Sequence, residues 1–423
     1  MNTDRAERVR RSTALHISME IDSVLQKIEG EFYDNPAAMI YFYDFFRTYL
    51  SEKFFTPSIP VIGTMCVQVP DEIIYALGAR PQRICCGIST CEQVGAEFMP
   101  SKACPVVKAT TGNLSANKEI LSRYFSAIVI PSTCDQKRKS AETLSAMGYK
   151  VIMLEMPLTR NSDMAVQYWH ESIKKLVIDL QKVTGKTLTS KNLQGAIGKV
   201  GQAQKVFREL YDLRKSDPPV ITGKDVLMVN NAYFLDDIES WTDAVSTLNY
   251  ELTRCKKKSM HVGLKNAPRI LLTGSPPIFP NLKVPLMLEQ SGAVIVADEV
   301  CSSTRLLYDT VAYDEPKLYD MVPAIADRYL KASTCPCFTP NDNRLRRLLE
   351  MTRDFRVDGV VYQAFSGCMP YEMEQKKIND MLAAHGIPML YVETDYSPED
   401  QGQLSTRIEA FIESIKARNR KAS

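Results

Sequence analysis

Histidine is scarce in this chain. There are four in 423 residues, His16, His170, His261 and His385, with no HExxH motif and no paired His-x3-His. A mixed Cys/His zinc site therefore has little to draw on. Phosphate-binding signals are missing as well. No GxxxxGK[ST] occurs, no GxGxxG follows a strand-like run, and no G-x-S-x-G nucleophile elbow is present. "GAIGKVG" at 195–201 sits inside a helical pattern, where glycines read as a packing or flexibility feature. No apolar run approaches the roughly 18 residues that a membrane-spanning helix takes. Charge of one sign is lacking too: 52 basic and 50 acidic residues give a net +2. That balance gives no reason to expect a nucleic-acid footprint or a membrane-surface patch. The opening "MNTDRAERVRRSTALHISMEIDSVL" is charged throughout and has no apolar core segment. No secretory signal is expected, and the reading is of a cytoplasmic protein.

What the chain has in quantity is cysteine, eleven residues of it. A cytosolic compartment keeps such thiols reduced, so a disulfide framework is not their explanation. Many thiols with few imidazoles favour a soft, sulfur-liganded metal, above all iron–sulfur. The compact Cys-x2-Cys-x2-Cys run is absent, so any cluster must be assembled from distant loops. The competing account is that a buried free cysteine behaves as a small hydrophobe. That account suits Cys85 and Cys86, in the strand-like "RICCGI", and Cys255, in the polar "LTRCKKKS".

Hydrophobic residues make up 45% of the chain and charged residues 24%, a soluble globular profile too long for one ordinary core. Residues 1–58 read as a helical segment. Over 59–160, strand-like runs ("PVIGTMCV", "RICCGI", "AIVIP", "KVIMLEM") alternate with helical ones ("PDEIIYAL", "LSANKEILSRYF", "QKRKSAETLSAM"). That alternation predicts α/β architecture with a mostly parallel sheet. Residues 161–265 carry helical spacing without strand signals, as a helical insert. The alternation restarts over 266–423 with "APRILLTG", "AVIVAD", "GVVYQ" and "PMLYVE". The expected fold is two Rossmann-like parallel-sheet domains with an additional helical region.

The two α/β halves resemble each other. "AIVIPSTC" and "GVVYQAFSGC" each end a strand on a cysteine, Cys134 and Cys368, and "KACPVV" and "STCPCF" precede them with Cys104-Pro105 and Cys335-Pro336. Cys66 and Cys301 also follow strand-like runs. All six are expected at one edge of their sheets. Open α/β sheets bind ligands outside the carboxyl ends of their strands, so facing domains would bring these loops to one cleft. Proline after Cys104 and Cys335 stiffens both loops. Lys137, Arg138 and Lys139 follow Cys134 and read either as a solvated helix face or as charge compensation for the site. Asp395 and Glu399, in the turn-rich "ETDYSPEDQGQ", read as a solvated loop rather than an acid/base pair.

The pieces "CPVVKATTGN", "PSTCDQKRK", "NAPRILLTGSP", "CFTPNDNRL", "DGVVYQAFSGCMPYEME" and "VETDYSPEDQGQLSTRIEAFIE" together resemble the 2-hydroxyacyl-CoA dehydratase and benzoyl-CoA reductase superfamily. Within it, the chain is most similar to the double-cubane cluster proteins. The resemblance implies that Cys104, Cys134 and Cys368 hold one [4Fe-4S] cubane. It implies a second cubane on Cys66, Cys301 and Cys335, with Cys337 the main rival and Cys91 a weaker one, and a sulfide bridging the two units into an [8Fe-9S] cluster. It further implies a homodimeric oxidoreductase that receives low-potential electrons from a separate ATP-hydrolysing iron–sulfur activator and reduces small molecules of the acetylene type. Two other readings stand beside it: a dehydratase subunit with one [4Fe-4S] cluster, and a non-catalytic assembly or regulatory factor for an activator ATPase. The resemblance names no catalytic acid or base.

Overall fold

The structure, a computed structural model, describes residues 2–32, 34–48, 57–264 and 266–422. Its frame is two four-stranded sheets in which every pairing is parallel. The first contains β1 (Val61–Thr64), β2 (Arg80–Arg83), β3 (Phe125–Pro131) and β4 (Val151–Leu154), in the order β2-β1-β3-β4. The second contains β5 (Arg269–Gly274), β6 (Val294–Glu299), β7 (Gly359–Phe365) and β8 (Met389–Thr394), in the order β6-β5-β7-β8. The two orders are the same, which gives the repeat seen in the sequence a topological counterpart. β1, β5, β6 and β7 are buried along their whole length. Parallel strands covered on both faces need continuous apolar runs, and "VIVAD" and "GVVYQAF" supply them.

Two sequence expectations shift in position. "RICCGI" is not a strand: β2 ends at Arg83, and Ile84, Cys85 and Cys86 run on past its carboxyl end. "LSANKEILSRYF" is not one helix either. A helix over Pro105–Ala116 stops at Asn117 and a second covers Lys118–Tyr124.

Between the sheets the chain is helical over Asp163–Thr184, Ser190–Arg214, Gly223–Tyr233 and Ile238–Lys257. The first of these begins where Ser162 accepts from the Ala165 N–H at 3.3 Å and ends on left-handed Gly185. It buries Trp169, Ile173, Leu176 and Leu180, spaced as one helical face. Gly195, Gly198 and Gly201 lie in the second helix with open space where a side chain would begin, so close packing is not their role. That helix is tied to the second sheet by a fully buried ion pair, Arg214 to Asp298 of β6, at 2.5 Å.

The N-terminal helix Asn2–Glu31 packs Ile17, Ile21, Leu25 and Ile28 onto one core shared with both sheets and the helical segment. Tyr43 of the helix Ile40–Thr48 donates to Asp225 at 2.9 Å, which anchors this segment to Gly223–Tyr233. The end of "AMIYFYDFFRTYL" lies outside the described residues. Among the described residues no helix is long and apolar enough to cross a membrane.

Candidate functional site

The carboxyl ends of both sheets face a single cavity of about 1230 Å³. Nine of the eleven cysteines line it: Cys66, Cys85, Cys86, Cys104, Cys134, Cys301, Cys335, Cys337 and Cys368. All six residues singled out from the sequence are among them. None of the four histidines is. Cys91 is fully buried in the helix Ser89–Gly95, where its thiol bonds with that of Cys86 rather than facing the cavity. Cys255 lies on the helix Ile238–Lys257, away from the site.

Strand ends place most of these thiols. Cys66 follows β1, Cys134 follows β3, Cys301 follows β6 and Cys368 follows β7. Sequence reasoning missed Cys85 and Cys86. β2 holds the place in its sheet that β6 holds in the other, so Cys85 and Cys301 leave equivalent strands. The signal was the position of the run, just upstream of a helix start, rather than its apolar content.

Three thiols share a further device. Cys104, Cys134 and Cys368 are the N-cap residues of the helices Pro105–Ala116, Asp135–Ala146 and Met369–Ala384. The unpaired N–H groups and positive dipole end of a helix favour a thiolate there. Gln136 joins the three loops. Its Oε1 accepts from the Cys104 N–H at 2.6 Å, and its Nε2 donates to the Gly367 carbonyl at 2.8 Å. Gly367 has φ +78°, and a Cβ on it would stand 1.9 Å from the Lys102 carbonyl oxygen. The loops carrying Cys104 and Cys368 are thus pressed together by backbone contact.

Electrostatics divides the thiols into two neighbourhoods. Cys104 is held below its usual range by a hydrogen bond from Cys368, against burial, with help from the Val107 and Val106 N–H groups. Cys368 is correspondingly pushed well up by that bond, by burial and by the charges of Cys104 and Cys134. Cys335 is lowered to about 6 by a hydrogen bond from Cys337, against burial, with Arg305 contributing. Burial raises Cys301, Arg305 opposes this, and the charges of Cys335 and Cys66 add to it. One neighbourhood is therefore Cys104, Cys134 and Cys368; the other is Cys301, Cys335 and Cys337, and the charge of Cys66 acts on both, at Cys134 as well as at Cys301 and Cys337. Cys85 feels both Cys66 and Cys301 and belongs with the second. Lys137 lines the cavity near both sets. Burial disfavours its charge, but Cys66, Cys134, Cys85 and Cys301 hold it protonated well above the ordinary range. Arg138 and Lys139 are exposed and pair with Asp135 and Glu142. The basic run thus splits into one cavity residue and two solvated ones. Asp395 and Glu399 stay in their loop, where Asp395 accepts from the Ser397 N–H at 2.8 Å.

Among the described residues, no three His, Cys, Asp or Glu converge closely enough to hold one metal ion. A cubane makes a different demand, since each of its thiolates binds a different iron.

Residues 66–415 match the family described as "2-hydroxyglutaryl-CoA dehydratase, D-component". The chain belongs to this family. The match begins at Cys66 itself and takes in all nine cavity cysteines. Among relatives of this dehydratase family, the Escherichia coli (strain K12) protein named "Putative dehydratase subunit YjiM" is 31% identical over 360 residues, 84% of this chain and 92% of that one. A benzoyl-CoA reductase subunit from Thauera aromatica is 25% identical over 85% of this chain and 92% of its own. The (R)-phenyllactyl-CoA dehydratase beta subunit of Clostridium sporogenes is 23% identical over 84% and 91%. The family thus spans dehydratase and reductase components, and this chain is a component of that type.

Proposed function

We propose that the chain is an iron–sulfur reductase carrying a sulfide-bridged double cubane. In this reading it takes low-potential electrons from an ATP-hydrolysing iron–sulfur activator, works as a homodimer and reduces small molecules of the acetylene type. The observation that carries the reading is one cavity, at the carboxyl ends of two sheets of the same strand order, whose thiols fall into two groups that each draw on both sheets. The donor set fits: soft thiols, no imidazole, and helix N-termini and buried cations that offset thiolate charge. Cys104, Cys134 and Cys368 would hold one cubane, and Cys66, Cys301 and Cys335 the other. Three thiolates per cubane leave one iron of each without a protein ligand. The division into a helical segment (1–58), two α/β domains (59–160 and 266–423) and a helical insert (161–265) belongs to the same reading.

When bound, the cluster would supply electrons at low potential to a small molecule. The protein's own part is to exclude water and to hold charge. Cys104 and Cys335 are buried, and the cavity wall around them is largely apolar, with Val106, Phe279 and Phe338 among its residues. A low local dielectric penalises added negative charge, which makes reduction difficult and gives a reason for coupling it to ATP. The chain has no nucleotide motif of its own, in keeping with a separate ATPase. Lys137 stands where it offsets thiolate charge from both sets.

The second reading, a dehydratase subunit with one cubane on Cys104, Cys134 and Cys368, is favoured by the names of most relatives. Iron and sulfide analysis of anaerobically purified protein separates the two. About eight irons per chain is expected. About four would move the assignment to the dehydratase subunit, and none would remove the cluster from the account.

A further inference from the structure

The two sets of thiols are held by different means. Cys104, Cys134 and Cys368 each open a helix; main-chain N–H groups of Val107 and Val106 help to lower Cys104, and burial raises Cys134 against the charge and the main-chain N–H of Lys137. Cys301 opens no helix; the next one begins at Thr304. Two side chains stand at its sulfur instead. Arg305 Nη1 donates to Cys301 Sγ at 3.2 Å, and the Tyr371 hydroxyl lies 3.3 Å from the same atom. Arg305 Nη1 also donates to the Tyr371 hydroxyl.

This guanidinium cannot turn away. Its Nε and Nη2 are fixed on Glu299 at 2.7 and 2.8 Å. Glu299 is in turn held by the hydroxyls of Thr334 at 2.6 Å and Thr273 at 2.9 Å, and faces a second buried guanidinium, Arg344, at 2.9 Å. A fork locked on one carboxylate leaves its remaining nitrogen pointing at the sulfur. No reorganisation is then needed when charge arrives there.

We infer that Arg305 and Tyr371 are positioning residues that set the electron affinity of the half of the centre bound through Cys301, independently of the other half. The inference rests on the double-cubane reading above. A cation and hydrogen-bond donors at a ligand sulfur stabilise the more negative, reduced state and raise its potential. Neither residue is among the groups that act at Cys104 or Cys134, where main-chain N–H groups of the helix N-termini and the Lys137 charge compensate. One electron enters and no bond is made or broken at either residue.

The test is a redox titration, followed by electron paramagnetic resonance, of intact anaerobic wild type, Tyr371→Phe and Arg305→Lys, with iron content and circular dichroism as controls. Tyr371→Phe keeps the ring and removes only the hydroxyl; Arg305→Lys keeps the charge and removes the fork. In both, the iron content should be retained and one of two reduction steps should move. At fixed poise its oxidised-to-reduced ratio should rise at least tenfold, a lowering of about 59 mV for a one-electron step. The other step and its signal should stay in place. Both steps unmoved, or both moved equally, would overturn the inference. So would loss of iron from both variants, which would make these residues holders rather than tuners. Wild type with about four irons or none sinks the underlying reading first, and is seen before any variant is made.

Discussion

Cys335 and Cys337 are two residues apart, both line the cavity, and they share a hydrogen bond that gives the charge to Cys335. Sequence alone favoured Cys335 only through its likeness to Cys104-Pro105. The local electrostatics point the same way, since a metal ligand must be a thiolate. Cys335→Ser should lower the iron content of anaerobic protein by about half, whereas Cys337→Ser should leave it within error. Cys85 is the rival that the sequence hid. Cys66→Ser should cost iron and Cys85→Ser should not; the reverse result would exchange the two in the second set. The reason Cys85 and Cys86 were illegible is physical. "RICCGI" is a short apolar run, and such a run reads alike whether it is a buried strand or a buried loop beyond one. Here the loop wins. Gly87 lies against the main chain at Ile278, where a Cβ would stand 1.9 Å from a carbonyl oxygen, and only a residue without a side chain lets the segment turn under the cavity.

At the scale of elements, the strands were legible because parallel strands buried on both faces leave continuous apolar runs: seven of the eight coincide over most of their length with stretches marked from the sequence, and β2 meets its stretch only at Arg83. The Cys-Pro correspondence was legible as a pattern but not as a shape. Pro105 starts a helix of 12 residues, whereas Cys335-Pro336 sits in a turn and the next helix begins only at Asp342. The junction between loops was not legible at all, because it depends on backbone contact across the cavity mouth. Gly367 makes it. Gly367→Ala would place a Cβ into the Lys102 carbonyl in addition to adopting a left-handed φ. Gly386 supplies the control, with φ +70° and nothing within 4 Å. Gly386→Ala should lose about 1 kcal/mol from the conformational term alone. Gly367→Ala should lose clearly more, about 2 kcal/mol or above, by urea denaturation. It should also weaken iron retention, since the loops of Cys104 and Cys368 must part. Equal losses in the two variants would mean that the contact does not hold the site together.

Across the whole molecule, distant parts of the chain converge on one buried carboxyl pair beside the site. Asp71 and Glu72 follow the Cys66 loop. Tyr233, from the helix Gly223–Tyr233, donates to Asp71 at 3.2 Å, and Tyr329, from the helix Leu318–Lys331, donates to Glu72 at 2.9 Å. Burial, then the charge of Glu72, pushes Asp71 up to about 7 from an ordinary 3.8, with Arg83, Tyr233 and Arg328 opposing. The folded protein therefore binds this proton more tightly than the unfolded chain does. Between about pH 4 and 7 the folded state keeps the proton and the unfolded state releases it, so stability falls as pH rises through that window. Below it both states are protonated and above it both are ionised, so the term stops changing. Glu374, also held up to about 7, bends the curve in the same direction, which is why the comparison must isolate Asp71. Asp71→Asn keeps the shape and removes the proton. Measured by urea denaturation at a series of pH values, wild type should lose stability relative to Asp71→Asn as pH rises from about 4 to 7, by on the order of 3 kcal/mol in all, and the difference should then level off. A difference that stays flat, or that grows in favour of wild type with rising pH, would mean that Asp71 is ionised in the folded protein and paired with Arg83 or Arg328. Asp71 would then be one member of a buried salt link rather than the holder of a proton.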